Sequence, residues 1–481
     1  LPLAAPGSRS NYPPRSSTFK HKSIGKETIM VKRSVAQGIS RRQFLTFAGM
    51  TLAGSALAAC VAPVAAPTGG AAADSAAAGG PPFADRELNI FSAQHHNENV
   101  KGLWVPIFEE KTGAKVNWIE VGGGDVDAKY AVFVASQDSS VDTMYTWETL
   151  NAKYGRTLME DITEQFDSAL LDGLVGAPRA ALNFLGKQYG VPFDSNQAIF
   201  MWNKEIYESG GLDSSKAPES WTEFIANSKA TTTDGRYATL FTMGDANSGF
   251  VSYVSLFNST GGRLFSDDLT KLQLASDEGL LAMQALYDAF VTEAIADPAG
   301  VTVASSIEQG KIFRAGNMAH YYAFPNHFTL AQDPEQSQVV DKVQTSIIPG
   351  LTLRSGSVNG FEGYAINQFS PNKDLALAWL EHIISPEVQS LVALNWGRPP
   401  ALTATFDEPA VIEKSPQFAT VKEQGQYPAP RYGSPFYFDV GAVFVEHMLA
   451  MIDGNLTPEA AIETIQSEAQ TMVDEYWAKA G

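Results

Sequence analysis

Residues 87–92 read ELNIFS, residues 115–121 read KVNWIEV and residues 142–146 read DTMYT. Each is a short apolar run of the kind that forms a buried or half-buried strand, and the first alternates apolar with polar residues. The stretches between them have helical spacing. Val100 to Thr112 places Trp104, Ile107 and Phe108 on one side and meets a stop at Gly113, and Asp127 to Ser136 reads as the next helix. Strand, helix, strand, helix, strand is the opening of a doubly wound α/β lobe, in which ligands gather beyond the carboxyl ends of the strands.

The α/β pattern continues outward. Ser220-Trp221-Thr222-Glu223 is a capping box opening a helix through Ala230, and Ser385-Pro386-Glu387 and Thr457-Pro458-Glu459 each supply a cap, a first-turn proline and an acid. Asp374 to Ile384 puts Leu377, Leu380, Ile383 and Ile384 on one helical face. No internal repeat is evident. A chain of 481 residues exceeds one ordinary core, so two domains or two lobes are expected. After residue 60 no run of eighteen apolar residues offers a membrane span.

The formal charge is −19, but nine of the 34 basic residues and one of the 53 acids lie in residues 1–59, leaving −27 on the remainder. Such a surface repels phosphate backbones and anionic headgroups, which argues against a nucleic-acid partner and favours a neutral or cationic ligand. The single cysteine, Cys60, excludes an intrachain disulfide and a cysteine metal cluster.

The position of Cys60 is informative. Arg41 and Arg42 precede the apolar run Phe44 to Ala59, the layout of an export signal, and the pair resembles a twin-arginine signal. Leu57-Ala58-Ala59-Cys60 looks like a bacterial lipobox, in which the thiol is lipidated and the chain is cut before it. The Ala, Gly, Pro, Ser and Thr after it make a flexible tether. Residues 30–59 are thus expected to be a signal peptide and 60–85 a lipidated anchor with its tether. Residues 1–29 precede Met30, show no periodic pattern and read as an extension of the gene model.

Several further stretches, in order, carry a family resemblance. They are Phe108 to Gly113 (FEEKTG), Tyr189 to Asn196 (YGVPFDSN), Asn203 to Tyr207 (NKEIY), Trp221 to Phe224 (WTEF), Gly261 to Phe265 (GGRLF), Ser385 to Gln389 (SPEVQ) and Gly397 to Pro400 (GRPP). Over residues 87–477 the chain resembles family 1 extracellular solute-binding proteins, the group that includes maltose-binding protein. The resemblance implies a two-lobed, periplasmic-binding-protein-like α/β fold with a hinge and an interlobe cleft. Lobe one would comprise 86–193 with 358–398, and lobe two 194–357 with 399–481, with Val191-Pro192 at the first crossing. It also implies a monomer that captures a sugar or other small solute and passes it to an ABC permease at the outer face of the plasma membrane. Neither a cofactor nor enzymatic activity is implied.

A sugar site needs aromatic planes for ring faces and polar groups for hydroxyls. His95 and His96 lie in the loop expected after the first strand, and as neighbours they are expected to point to opposite sides, a poor pair for a metal. Trp147, with Tyr145 as its alternative, is the stacking candidate beside Glu148. Asp194 and Asn196 come after the first crossing, in a polar run that a buried core would seldom take. Phe324 and Asn326 match the position of a stacking residue in the family, although the tryptophan common there is absent. Phe361 and Glu362 sit in a glycine-flanked loop where lobe one resumes; Trp396, Arg398, Tyr432 and Tyr437 complete the set, with Arg398 alternatively pairing a nearby acid. A glycoside hydrolase would also be acidic and aromatic-rich, and 52 acids offer too many carboxylate pairs to exclude one by inspection. No Gly-x-Ser-x-Gly, His-Glu-x-x-His or phosphate-loop pattern is present.

Overall fold

The computed structural model describes residues 81–166 and 168–480. Arg41, Arg42, Cys60 and the tether to residue 80 lie outside the described residues. Residues 81–85, expected to end the tether, instead form a turn on the first lobe. Phe83 packs against its core and donates its N–H to the Thr112 carbonyl at 2.9 Å. An aromatic side chain closing an otherwise small-residue run gives the turn something to bury.

The expected strands are present. Strands β1 (Glu87–Ala93), β2 (Lys115–Val121) and β3 (Thr143–Trp147) run parallel. A small hairpin, β4 (Asn183–Phe184) and β5 (Lys187–Gln188), leads to β6 (Gly190–Pro192). The second lobe contains β7 (Ile199–Asn203), β8 (His320–Ala323) and β9 (Val343–Ser346), and the chain returns to the first in β10 (Glu362–Ile366). The first sheet has the order β2-β1-β3-β10-β6, with β10 antiparallel to both neighbours, and the second has the order β8-β7-β9. β6 is an edge strand, where Pro192 removes no ladder hydrogen bond that a partner needs.

The lobes have separate cores. Leu88, Ile90, Phe108, Tyr145, Tyr364 and Trp379 belong to the first. In the second lobe, β7 is buried on both faces: Phe200 and Trp202 join one cluster, Ile199 and Met201 another. A strand covered on both sides reads as an unbroken apolar run, as IFMW does. No described helix is long and apolar enough to cross a membrane.

Two local expectations need correction. The loop expected at residues 94–98 is helical: a 3-10 turn, Gln94–His96, runs into a π-helical stretch, Asn97–Trp104, and then the α-helix Val105–Thr112. That helix ends where Gly113 adopts the left-handed conformation, φ 74°. The first crossing lies after Val191-Pro192, because those residues still pair with β10. The chain passes between lobes in residues 193–198.

Candidate functional site

One edge of the first sheet gathers the candidates. His95 and His96 lie just past the carboxyl end of β1, and Trp147 ends β3 with Glu148 beginning the helix Glu148–Leu158. β10 runs the other way, so its first residue, Glu362, arrives at the same edge, opposite Trp147. Asp194, just past β6, is there too. Parallel strands meeting an antiparallel one thus bring polar residues from four chain segments to one place.

Here three segments lie side by side as the hinge. The Ser195 N–H donates to the Pro399 carbonyl at 2.8 Å, and Gly360 N–H donates to the Asn196 carbonyl at 2.8 Å. The Ser195 hydroxyl donates to the Pro400 carbonyl at 2.9 Å. The side chains tie the same segments together. Arg398 Nη1 donates to Asp194 Oδ2 at 2.6 Å and to Glu362 Oε2, while Glu362 N–H donates to Asp194 Oδ1 at 2.9 Å. The guanidinium lies 4.0 Å from the centre of the Trp396 ring, which stacks on Phe193 at 5.7 Å. Arg398 thus pairs nearby acids, as the sequence had left open.

Glu362 is the hub. Tyr145 donates its hydroxyl to Oε1 at 2.8 Å, and His95 and His96 bring Nε2 to within 3.2 and 3.4 Å of its two oxygens. Behind His96, Nδ1 lies 2.8 Å from the Ser92 hydroxyl and 3.0 Å from that of Tyr364. The two histidines therefore do not point apart. In an extended strand neighbours diverge by about 180°, but on the 3-10 turn they are separated by about 120°, and both rings reach one carboxylate. His95, His96 and Glu362 have the donor types of a metal site. However, Glu362 already accepts from Arg398 and Tyr145, and a dication there would sit against the guanidinium, so the trio is better suited to fixing the carboxylate.

Burial sets the electrostatics. It holds the His96 imidazole down at about 3, so that ring is neutral. Burial also raises both carboxyls of the hinge, but the Arg398 charge and the two histidines outweigh it at Glu362 and keep that group well below the usual range. At Asp194, burial prevails over Arg398 and lifts the carboxyl to about 7. The pair shares one guanidinium, and Glu362 keeps the negative charge.

A seam beside the hinge is built from Trp147 and Glu148 on one side and the stretch 429–438 on the other, which leads into the second-lobe helix Tyr437–Ile452. The Arg431 guanidinium stands 5.3 Å from the Trp147 ring centre, and Phe438 lies 6.2 Å from that ring. Glu148 accepts from the Gly433 N–H at 2.9 Å and from Asn359 Nδ2 at 2.8 Å. Its carboxyl is pushed up by burial, which these hydrogen bonds and Arg431 only partly offset.

The remaining candidates separate by position. Phe324 is half-buried, its ring against Gly360, where an added Cβ would lie 2.5 Å away. Asn326 is half-buried and begins the helix Asn326–Ala331. Asn196 and Phe361 are buried on the hinge segments. Tyr432 donates its hydroxyl to Asn258 Oδ1 at 2.6 Å, and Tyr437 packs on Phe250 at 5.1 Å; both belong with the second core rather than with the cluster around Glu362. Sequence reasoning missed Ser92 and Tyr364 as supports of His96, and Asn359, Arg431, Gly433 and Phe438 at the seam. Asn359 directly precedes the glycine-flanked loop of Phe361 and Glu362, and Arg431, Gly433 and Phe438 adjoin the candidates Tyr432 and Tyr437, so the signal lay in neighbouring residues of the same stretches.

Comparison with known proteins agrees with this architecture. A structure of T. maritima MalE3 with bound maltose is similar at a TM-score of 0.73 and 21% identity, covering 80% of this chain and 99% of that one. A solute-binding protein from Agrobacterium radiobacter in complex with ribitol gives 0.71 and 19%, covering 81% and 100%. These likenesses are of fold. A relative from Sinorhizobium fredii, named as a probable amino-acid ABC transporter periplasmic-binding protein, is 25% identical over 378 residues, 76% of this chain and 84% of its own. The family model for bacterial extracellular solute-binding proteins matches residues 94–390. With two lobes, a three-segment hinge and a polar, aromatic-lined seam, the chain belongs to the bacterial extracellular solute-binding proteins, a family that binds its solutes rather than transforming them.

Proposed function

We propose that the protein captures an uncharged, polyhydroxylated solute, a sugar, oligosaccharide or polyol, between its lobes and delivers it to an ABC import permease. One observation carries this reading. Several buried polar side-chain atoms on the hinge and seam have no partner, and they are of both kinds: Trp147 Nε1 and Arg398 Nε are donors, Asn196 Oδ1 and Asn359 Oδ1 are acceptors. Buried donors and acceptors left unmade are costly, and a hydroxyl, which both donates and accepts, matches either kind. Trp147, Trp396 and Phe324 supply apolar planes close by. The hinge cation is already matched internally, Arg398 by Asp194 and Glu362, so it does not call for a charged solute. The maltose- and ribitol-bound relatives fit the same class, whereas the name of the Sinorhizobium relative points to amino acids.

The full reading includes export through a twin-arginine signal at Arg41 and Arg42 and a lipid on Cys60, which would hold a monomer at the outer face of the plasma membrane. A thermal-shift screen over mono- and oligosaccharides, polyols and amino acids tests the solute class, since a ligand of the folded state raises the melting midpoint. A rise with sugars or polyols and none with amino acids supports it; the reverse pattern overturns it. Cys60→Ser should release the protein from membranes after carbonate washing, and retention there would refute the anchor.

A further inference from the structure

Glu148 is placed where a solute contact would be expected, yet both of its oxygens are committed to the protein. Oε1 accepts the Gly433 N–H at 2.9 Å and Oε2 accepts from Asn359 at 2.8 Å. Gly433 belongs to the stretch that leads into a second-lobe helix, whereas Glu148 begins a helix of the first lobe. The bond to Gly433 therefore spans the seam. Two neighbouring contacts do the same: Arg431 lies over the Trp147 ring, and the Phe438 ring lies 6.2 Å from it. Asn247 Oδ1 accepts from Arg431 Nη2 at 2.8 Å and steadies the guanidinium from the second-lobe side.

The approach is close enough to require glycine. A Cβ added at Gly433 would stand 2.7 Å from Glu148 Cγ and 3.3 Å from Oε1, inside normal contact. Gly433 is not in the left-handed region, so its lack of a side chain serves this approach and not the backbone.

We propose that Glu148 is a closure latch, a positioning residue that does not touch solute. Its carboxylate clamps the stretch 429–434 onto the first lobe through Gly433 and thereby sets Arg431 over Trp147. Separating the lobes removes the Gly433 N–H and returns the carboxylate to water. The latch consequently biases the protein toward closure before any solute arrives, which lowers the conformational penalty that binding must overcome. The inference rests on the two-lobe capture reading but not on the identity of the cargo.

Its test needs no solute. In full chain carrying Cys60→Ser, spin labels at Val132→Cys and Leu281→Cys, exposed positions at 58% and 42% on helices of different lobes, report the interlobe distance by electron-electron resonance. The parent should show a short-distance population without solute. Glu148→Ala should reduce that population about tenfold, and Glu148→Gln, which keeps an acceptor for Gly433, should reduce it less. Gly433→Val should give a similar loss with Glu148 intact, so the test survives if Glu148→Ala does not fold, as a melting curve would reveal. A parent that lacks the short distance, or variants that leave it unchanged, overturns the latch. Because no ligand is present, a failed solute screen would leave this result standing.

Discussion

The hinge and the seam both bury carboxylates, and they satisfy them by different means. At the hinge, Asp194 and Glu362 share one guanidinium, and all three residues lie on segments hydrogen-bonded to one another, so the partners stay together whatever the lobes do. At the seam, Glu148 depends for one of its two bonds on an amide across the gap. Charge bound within a framework supports stability, whereas charge bound across a movable boundary governs which arrangement is populated. Substitutions in the two places should therefore be read out by different experiments, melting for the hinge and distance or affinity for the seam.

The largest expected effect is at the hinge. Arg398→Ala leaves two buried carboxyls without their cation and should destabilise the fold by about 3–5 kcal/mol, measured from the denaturant midpoint. A loss as small as that of a surface ion pair would abolish the distinction between hinge and seam.

The next is the dependence on pH, where two hinge residues should pull in opposite directions. The His96 imidazole, held down at about 3 by burial, is charged more readily in the unfolded chain. Its contribution is present above pH 6.5 and is lost as pH falls from there towards 3. Asp194, held up at about 7, binds its proton more tightly when folded, so stability declines as pH rises from about 4 to 7. Each should contribute a slope of about 1.4 kcal/mol per pH unit within its window. Comparing melting of His96→Gln and Asp194→Asn with the parent from pH 4 to 8 isolates the two slopes; equal slopes of one sign would contradict the assignment.

On the seam side, Trp147→Ala should weaken solute binding by about tenfold to a hundredfold, the loss expected for an aromatic plane of about 1–3 kcal/mol, and should change melting of the solute-free protein far less. A variant that melts early but binds normally would move Trp147 to the core. The smallest effect belongs to Glu148→Gln, which retains an acceptor and should change affinity by only a few-fold, about 0.5–1.5 kcal/mol, by calorimetry.

The framework of the fold was legible because it rests on local signals. The three strands that open the chain, the caps at Ser220 and Ser385 and the stop at Gly113 are encoded within a few residues of where they act. The site was legible only as segments. Nothing near Asp194 reveals that its partner is Arg398, because that pairing depends on how segments distant in sequence align at the hinge. The expectation that His95 and His96 diverge assumed extended backbone; the turn there is set by the helical stretch through Trp104, whose side chain is buried in the first core. At Asp194-Ser195-Asn196 the polarity also serves the hinge, whose segments bond one another there.

The order of strands in the first sheet bears on how the chain can be assembled during synthesis. β10, which lies between β3 and β6, is made only after β7, β8 and β9 have all been made. The lobe whose sheet begins first can complete that sheet only after the second sheet is complete. A nascent chain stopped between residues 347 and 361 would hold every strand of the second sheet but a first sheet without the strand that joins its edge to its middle. Such long-range closure is slow compared with local pairing, and until it occurs β6 has no neighbour in its sheet and the hub carboxylate of Glu362 does not yet exist. Binding competence is therefore acquired late in translation, after the lobe that supplies the opposite wall of the seam has its complete sheet.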